Sequence, residues 1–438
     1  MEVISRDYYL SKLIAARENG RVKIVTGIRR CGKSFLLSNL FKRELLLDGV
    51  DGAHIIEVAL DRKENEALRN PNKLYDYILE RIHDSRMHYV FIDEIQLSYR
   101  ILRPGVRLST IAPEDRDLAY TTFYDVLNSL AARDNLDVYV TGSNSKMLSS
   151  DIVSNFRDRG TEIRLGPLSF KEFHEFRRGE KADDWDEYLV YGGMPVAVLE
   201  KDKTEKARYL QALFSTVYRA DIVERYAIEN EYVLDALMST LASSVGSLTN
   251  PTKLARSLNS EAHAHTTDIT VKRYLDALED AFLFAKAQRW DVKGRRYFNY
   301  PMKYYATDVG LRNARLNFRQ VEPTHLMENI IYNELRMRGY SVDVGAVRFA
   351  QTQGGKKTEA MHEIDFVVNR GAEKAYIQSA LNVDDPGKRD QEVAPLLKSG
   401  DFFRKIVVTG GNSQLRVGED GIAFIGVIPF LLDESLIG

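Results

Sequence analysis

Gly27 to Ser34 read Gly-Ile-Arg-Arg-Cys-Gly-Lys-Ser and fit the spacing G-x-x-x-x-G-K-[ST]. Each residue type has a mechanical purpose in such a turn. Glycines let the backbone curl until its N–H groups converge on phosphate oxygens, and the helix that follows adds its positive end. Lys33 can reach the outer phosphates of a nucleotide, and the Ser34 hydroxyl can ligate Mg²⁺. Some 60 residues on, "MHYVFIDEI" ends in a second reactive pair, Asp93 and Glu94. An aspartate in that position can hold the water shell of a magnesium ion, and the adjacent glutamate can polarise an attacking water. The plainer alternative is a strand that meets solvent in two carboxylates.

These groups need elements that bring them together. "RVKIVTGI" (21–28) is rich in β-branched residues and predicts a short buried strand. "KSFLLSNLFKREL" (33–45) repeats its apolar residues at helical spacing. "MHYVFIDEI" (87–95) and "LDVYVTGSNSKML" (136–148) predict two further buried strands. The second delivers Thr141, Ser143 and Asn144 to the edge where Asp93 emerges, and an amide there could orient a water. Asn144 could equally cap the next helix. "SSDIVSNFRDRGTEIRLGPLSF" (149–170) predicts a short helix, a turn with Arg157 and Arg159, and another strand. The fold class is therefore α/β, a parallel P-loop sheet.

The stretches "GIRRCGKS", "YVFIDEIQ", "YVTGSNSKMLSSDI", "RDRGTEIRLGPLSFKEF", "YGGMP" and "YRADIVERY" together resemble a family of bacterial and archaeal AAA-type ATP-binding proteins with a C-terminal domain of unknown function. The likeness extends over nearly the whole chain. It implies that Lys33 and Ser34 bind ATP with Mg²⁺, that Asp93 and Glu94 form the Walker B pair, and that Asn144 is the first sensor. It makes Arg159, and less directly Arg157, a candidate arginine finger for a neighbouring subunit in a homo-oligomer; alternatively these arginines pair with Asp158 and Glu162. The nucleotide-contacting set taken from the loop is Gly27, Arg30, Cys31, Gly32, Lys33, Ser34 and Phe35. Cys31, near the positive end of a helix, is in a setting that favours the thiolate. Its side chain is expected to be dispensable, yet close enough for a bulky adduct to obstruct nucleotide. Residues 98–120 form a long loop with no recognisable partner.

Beyond the ATPase part (1–170) the chain reads as helices to about 245, a helical lid. From 246 to 310, two helices and a hairpin turning near Gly294 suggest a winged-helix-like module. Asn250 and Pro251 make a well-formed start for the first of those helices. The hairpin holds Lys286, Arg289, Lys293, Arg295 and Arg296 against Asp291, enough to neutralise phosphates, so Lys293, Arg295 and Arg296 are candidate DNA contacts. The second helix argues otherwise, because Asp276, Glu279 and Asp280 outnumber Lys272 and Arg273. Residues 311–438 place Glu328 on a helix, Asp365 on a strand and Gln378 on the next. That skeleton resembles the PD-(D/E)XK, restriction-endonuclease-like α/β fold. Ala380 stands where an active member would have its lysine, which points to a degenerate, binding-only domain.

Bulk properties bound the rest. A 438-residue chain exceeds one ordinary core, and a net charge of −2 creates no global field toward nucleic acid or membrane. One cysteine permits no internal disulfide, the first 20 residues are too charged for a signal peptide, and no apolar run is long enough to span a bilayer. A cytoplasmic location is expected. The functional expectation is an oligomeric, ATP-hydrolysing switch or motor acting on a nucleic acid or protein. The alternatives are an ATP-gated, metal-dependent DNA nuclease and an ATP-binding signalling scaffold with little turnover.

Overall fold

Val22, Ile24 and Val25 are fully buried, and β1 (Val22–Thr26) accordingly lies inside a sheet with neighbours on both sides. The computed structural model describes residues 3–142, 160–353 and 356–437. Two units, Met1–Gly166 and Pro167–Gly438, each have their own core.

In the first unit β2 (Ile55–Ala59), β3 (His88–Asp93), β6 (Leu136–Gly142) and β7 (Gly160–Arg164) join β1 in the order β2-β3-β6-β1-β7. Every neighbouring pair is parallel. Strands covered on both faces need apolar side chains at nearly every position. Val90, Ile92, Val138 and Val140 supply them, packing against Leu74, Leu127 and Leu130 of the flanking helices. Because all strands run one way, Thr26, Asp93 and Gly142 finish at one edge of the sheet. After β1 the chain turns through the glycine loop into one helical run. It is α-helical at Lys33–Phe35, π-helical at Leu36–Phe41 and α-helical again at Lys42–Leu47. Leu37, Phe41 and Leu45 face inward, with Phe41 against the rings of Tyr139 and Phe91 at 4.9 and 5.8 Å. The 98–120 segment is closed by a small antiparallel ribbon, β4 (Ile101–Leu102) with β5 (Tyr120–Thr121).

The second unit begins with helices, among them Lys181–Tyr191, Glu231–Ser243, Pro251–Glu261 and Asp268–Asp280. Asn250 caps Pro251–Glu261 as expected, its side chain accepting from the Lys253 N–H. An eight-stranded mixed sheet follows, in the order β14-β15-β13-β12-β11-β10-β8-β9. Its strands are β8 (Phe284–Asp291), β9 (Arg296–Ala306), β10 (Ser341–Gln353), β11 (Lys356–Arg370), β12 (Glu373–Ala380), β13 (Arg404–Thr409), β14 (Arg416–Val417) and β15 (Ala423–Gly426). The basic hairpin is thus the rim of this sheet and not a free-standing wing. Parallel pairing of Arg289, Trp290 and Asp291 with Val344, Gly345 and Ala346 secures it. β9 also runs on to Ala306, because Met302, Tyr304, Tyr305 and Ala306 are buried.

Candidate nucleotide site

The loop between β1 and its helix cannot be built from other residues. Gly27 has φ 141°, and a Cβ there would lie 2.0 Å from the Leu165 carbonyl oxygen. Gly32, at φ 100°, is also in the left-handed region that side chains avoid. Arg30 adopts φ 65° with its side chain exposed, and Phe35 is likewise exposed. Lys33 is buried, and its ammonium donates to the carbonyl oxygens of Gly27 (3.1 Å) and Ile28 (3.2 Å). Arg6, which the sequence reading missed, braces the loop. It donates to the Cys31 carbonyl at 3.2 Å and to Gly166 at 2.8 Å.

Cys31 needs a correction. Its thiol is wholly buried, 3.5 Å from the Leu165 carbonyl oxygen. Burial pushes its pKa up, against the opposing pull of Lys33 and Arg6. Low-dielectric packing outweighs the helix end, so the thiol form is favoured and the residue is inert by position.

Ser34 and Asp93 meet at the strand edge, with Oγ and Oδ1 2.9 Å apart. Between β3 and β1, the strand that leads into the Ser34 loop, lies β6, whose Thr141 donates its hydroxyl to the same Asp93 oxygen and accepts the Glu94 N–H at 2.9 Å. Thr141 therefore fixes both members of the acidic pair. Glu94 itself has φ 53° and ψ 49°, a strained conformation for a side-chain-bearing residue. Desolvation raises its pKa, with Lys33 and Arg29 pulling the other way, and the Gln96 amide donates to it. A serine hydroxyl beside a carboxylate is an all-oxygen donor set, which fits Mg²⁺. Asn144, Arg157 and Arg159, with Ser143, lie outside the described residues.

The second unit gathers its own charged group. Glu328, on the helix Pro323–Met337, and Asp365, on β11, both face Lys303 of β9. The Lys303 ammonium lies 2.9 Å from Glu328, 2.6 Å from Glu363 and 3.4 Å from Asp365, and is buried. Tyr305 donates to Glu328 at 2.7 Å. The cluster thus contains a lysine, although the motif position is taken by the buried Ala380. Gln378 turns to other partners: its oxygen accepts the Asp365 N–H at 3.3 Å and its amide donates to Glu392 at 2.8 Å. Burial raises the pKa of Glu328 to about 7, with Lys303 opposing. The sequence did carry a signal for Glu363, two residues before Asp365 and therefore on the same strand face.

On the hairpin rim, Lys286 pairs with Glu279 at 2.8 Å, Arg296 approaches Asp291 at 3.7 Å, and Lys293 donates to the Arg348 carbonyl at 3.3 Å. The Lys286–Glu279 pair also accounts for one acidic residue of the helix Asp268–Asp280. Lys293, Arg295 and Arg296 remain exposed. Among the described residues, no helix is long and apolar enough to cross a membrane.

Comparison with known proteins fits this geometry. Residues 19–174 match the family model described as AAA domain, and residues 182–322 match a domain of unknown function, DUF8612. Among solved structures, a Walker-type ATPase of Pyrococcus abyssi is 14% identical at TM-score 0.46, covering 72% of this chain and 96% of that one. The Aeropyrum pernix ORC1 protein in complex with DNA is 12% identical at TM-score 0.27, covering 72% and 92%. Neither likeness is close enough to bear on function. An uncharacterized protein of Methanocaldococcus jannaschii is 25% identical over 88% of this chain and 79% of its own length. An uncharacterized protein of Haemophilus influenzae is 30% identical over 98% of this chain and 99% of its own. The chain belongs to the same family as that Haemophilus influenzae protein and carries an AAA domain of the P-loop ATPase class over residues 19–174.

Proposed function

We propose that the chain hydrolyses ATP in its AAA domain and works, as a cytoplasmic homo-oligomer, as a switch or motor on a nucleic-acid or protein partner. The observation that carries the hydrolytic reading is the Ser34–Asp93–Thr141–Glu94 network, in which one threonine holds the Asp93 carboxylate and the Glu94 backbone N–H. In this reading Lys33 leaves the Gly27 and Ile28 carbonyls for phosphate oxygens, while loop N–H groups from Gly27 to Ser34 cradle the phosphate chain. Ser34 and Asp93 hold Mg²⁺, which supplies charge neutralisation at the phosphates. Glu94 takes the proton of the attacking water, Asn144 orients that water, and Arg159 reaches a neighbouring subunit's nucleotide. The test is steady-state ATP turnover with and without duplex DNA. Lys33→Ala should abolish nucleotide binding, and Glu94→Gln should bind ATP with turnover reduced at least about 100-fold. Parent-rate hydrolysis by Glu94→Gln would refute the assignment.

A second reading has one specific support. Lys303 brings an ammonium to Glu328, Glu363 and Asp365, the ingredients of a nuclease-like centre in a different chain order. Plasmid nicking in Mg²⁺ or Mn²⁺, abolished by Asp365→Asn, would establish it. Intact plasmid leaves the domain in a binding role.

A further inference from the structure

The starts of β2 and β3, at the sheet edge remote from Asp93, bring together side chains that the nucleotide chemistry does not use. His54 immediately precedes β2, His88 opens β3, and Asp84 lies in the connection leading into β3. His54 Nε2 is 3.1 and 3.2 Å from the two Asp84 oxygens, and the His54 and His88 rings have centroids 4.5 Å apart. One ligand atom from each of His54, Asp84 and His88 lies within 4.8 Å of the other two.

The His88 tautomer is set by its backbone neighbours. Its Nδ1 is 2.8 Å from the Arg86 carbonyl oxygen, which can only accept, so Nδ1 carries the proton and Nε2 presents a lone pair. Donation from the second ring nitrogen to a backbone carbonyl fixes the tautomer in many metal sites. Burial lowers the His88 pKa, which keeps the ring neutral. Bonds of roughly 2.0–2.2 Å to tetrahedral zinc put neighbouring ligand atoms about 3.3 Å apart. The His54–Asp84 pair is already near that spacing, and His88 has about 1.5 Å to close at most.

We propose that His54, Asp84 and His88 bind one divalent cation of the zinc class, tying the start of β2 to the segment that enters β3. Two imidazole nitrogens and one carboxylate favour late first-row cations over Mg²⁺, so the site is distinct in chemistry from the phosphate loop. It is distant as well, since the six residues of β3 span about 16 Å at roughly 3.3 Å per residue. Two groups compete with the cation. Arg86 donates to Asp84 through Nε at 2.8 Å and approaches it through Nη2 at 2.7 Å, and the His83 N–H occupies the His88 lone pair at 3.2 Å.

The competitor supplies the decisive test. Titration of the full chain with Co²⁺ should give a saturable visible d–d band of one ion per chain, displaced by Zn²⁺. His54→Gln and Asp84→Asn should abolish the band, Lys33→Ala should leave it intact, and Arg86→Gln should tighten binding several-fold by freeing Asp84. A merely structural His–Asp pair gives no such gain. The absence of a saturable band, its survival in His54→Gln, or weaker binding in Arg86→Gln would each overturn the proposal. Should His54→Gln not fold, the parent titration and Arg86→Gln decide between them.

Discussion

The Ser34 hydroxyl lies 2.9 Å from the Asp93 carboxylate although 59 residues separate them. The sheet order explains the meeting: β6 lies between β1 and β3, so its Thr141 is the residue able to hold the pair from the side. Thr141→Val keeps the shape and removes the hydroxyl. ATP affinity should change little, while kcat falls about 10- to 100-fold because Glu94 loses the acceptor for its N–H. Stopped-flow nucleotide binding alongside turnover separates the two effects. An equal loss in affinity would place Thr141 in binding instead.

Glu94 should impose its raised pKa on the rate. Desolvation disfavours its ionised form, and a general base acts only when ionised, so turnover should fall toward acid at a higher pH than an exposed glutamate would dictate. Increasing ionic strength should leave this limb in place, because burial and not a surface charge causes it. A kcat profile that stays flat down to the ordinary carboxylate range would contradict the role.

Lys303 neutralises one of three carboxylates that share its pocket. Removing a buried partner typically costs about 3–5 kcal/mol, and Lys303→Met should destabilise the C-terminal unit on that order. Millimolar Ca²⁺ or Mn²⁺ should recover part of the loss in the variant and add nothing comparable to the parent. Thermal unfolding with and without the cation reads both.

The same pocket predicts a pH dependence of stability. The folded pKa of Glu328 is raised to about 7, above the usual glutamate value. The folded state therefore holds a proton that the unfolded chain has released, and the associated stability is present in acid and lost as pH rises through about 7. Glu328→Gln, which imitates the protonated form, should flatten the melting temperature between about pH 4.5 and pH 7, where the folded and unfolded states differ in bound protons. An unchanged slope would assign the titration elsewhere.

Cys31→Ser should retain ATP turnover within a few-fold, because the loop presents its backbone to phosphate. Maleimide should label the folded parent far more slowly than the unfolded chain, since the thiol is buried and held protonated. Rapid labelling of the folded protein would mean that the loop opens readily.

Local patterns in the sequence carry much of the AAA domain. β-branched runs marked β1, β3 and β6, the glycine spacing marked the loop, and the strand ends marked Asp93 and Glu94. Glu328 and Asp365 were legible for the same reason, each in a strongly patterned segment. What escaped depended on contacts between distant segments. Arg6 reaches the loop from outside any motif, and Lys303 comes from a strand whose buried continuation to Ala306 follows an exposed, polar beginning. The expected thiolate at Cys31 failed because a helix end is visible in sequence, whereas the burial of the sulfur beside the Leu165 carbonyl is not.

The position of β8 and β9 has a consequence for how this chain can be cut. The DUF8612 match ends at residue 322, after β9 and before β10, yet β8 takes β10 as its parallel partner and Lys303 answers carboxylates on the far side of that boundary. The unit recognisable in sequence is therefore not a unit of folding. A fragment ending at 322 would expose an unpaired strand edge and bury an ammonium without its counter-charges. Residues 167–438 should instead melt as one cooperative block, and inheritance of the matched segment would require the remaining strands to travel with it.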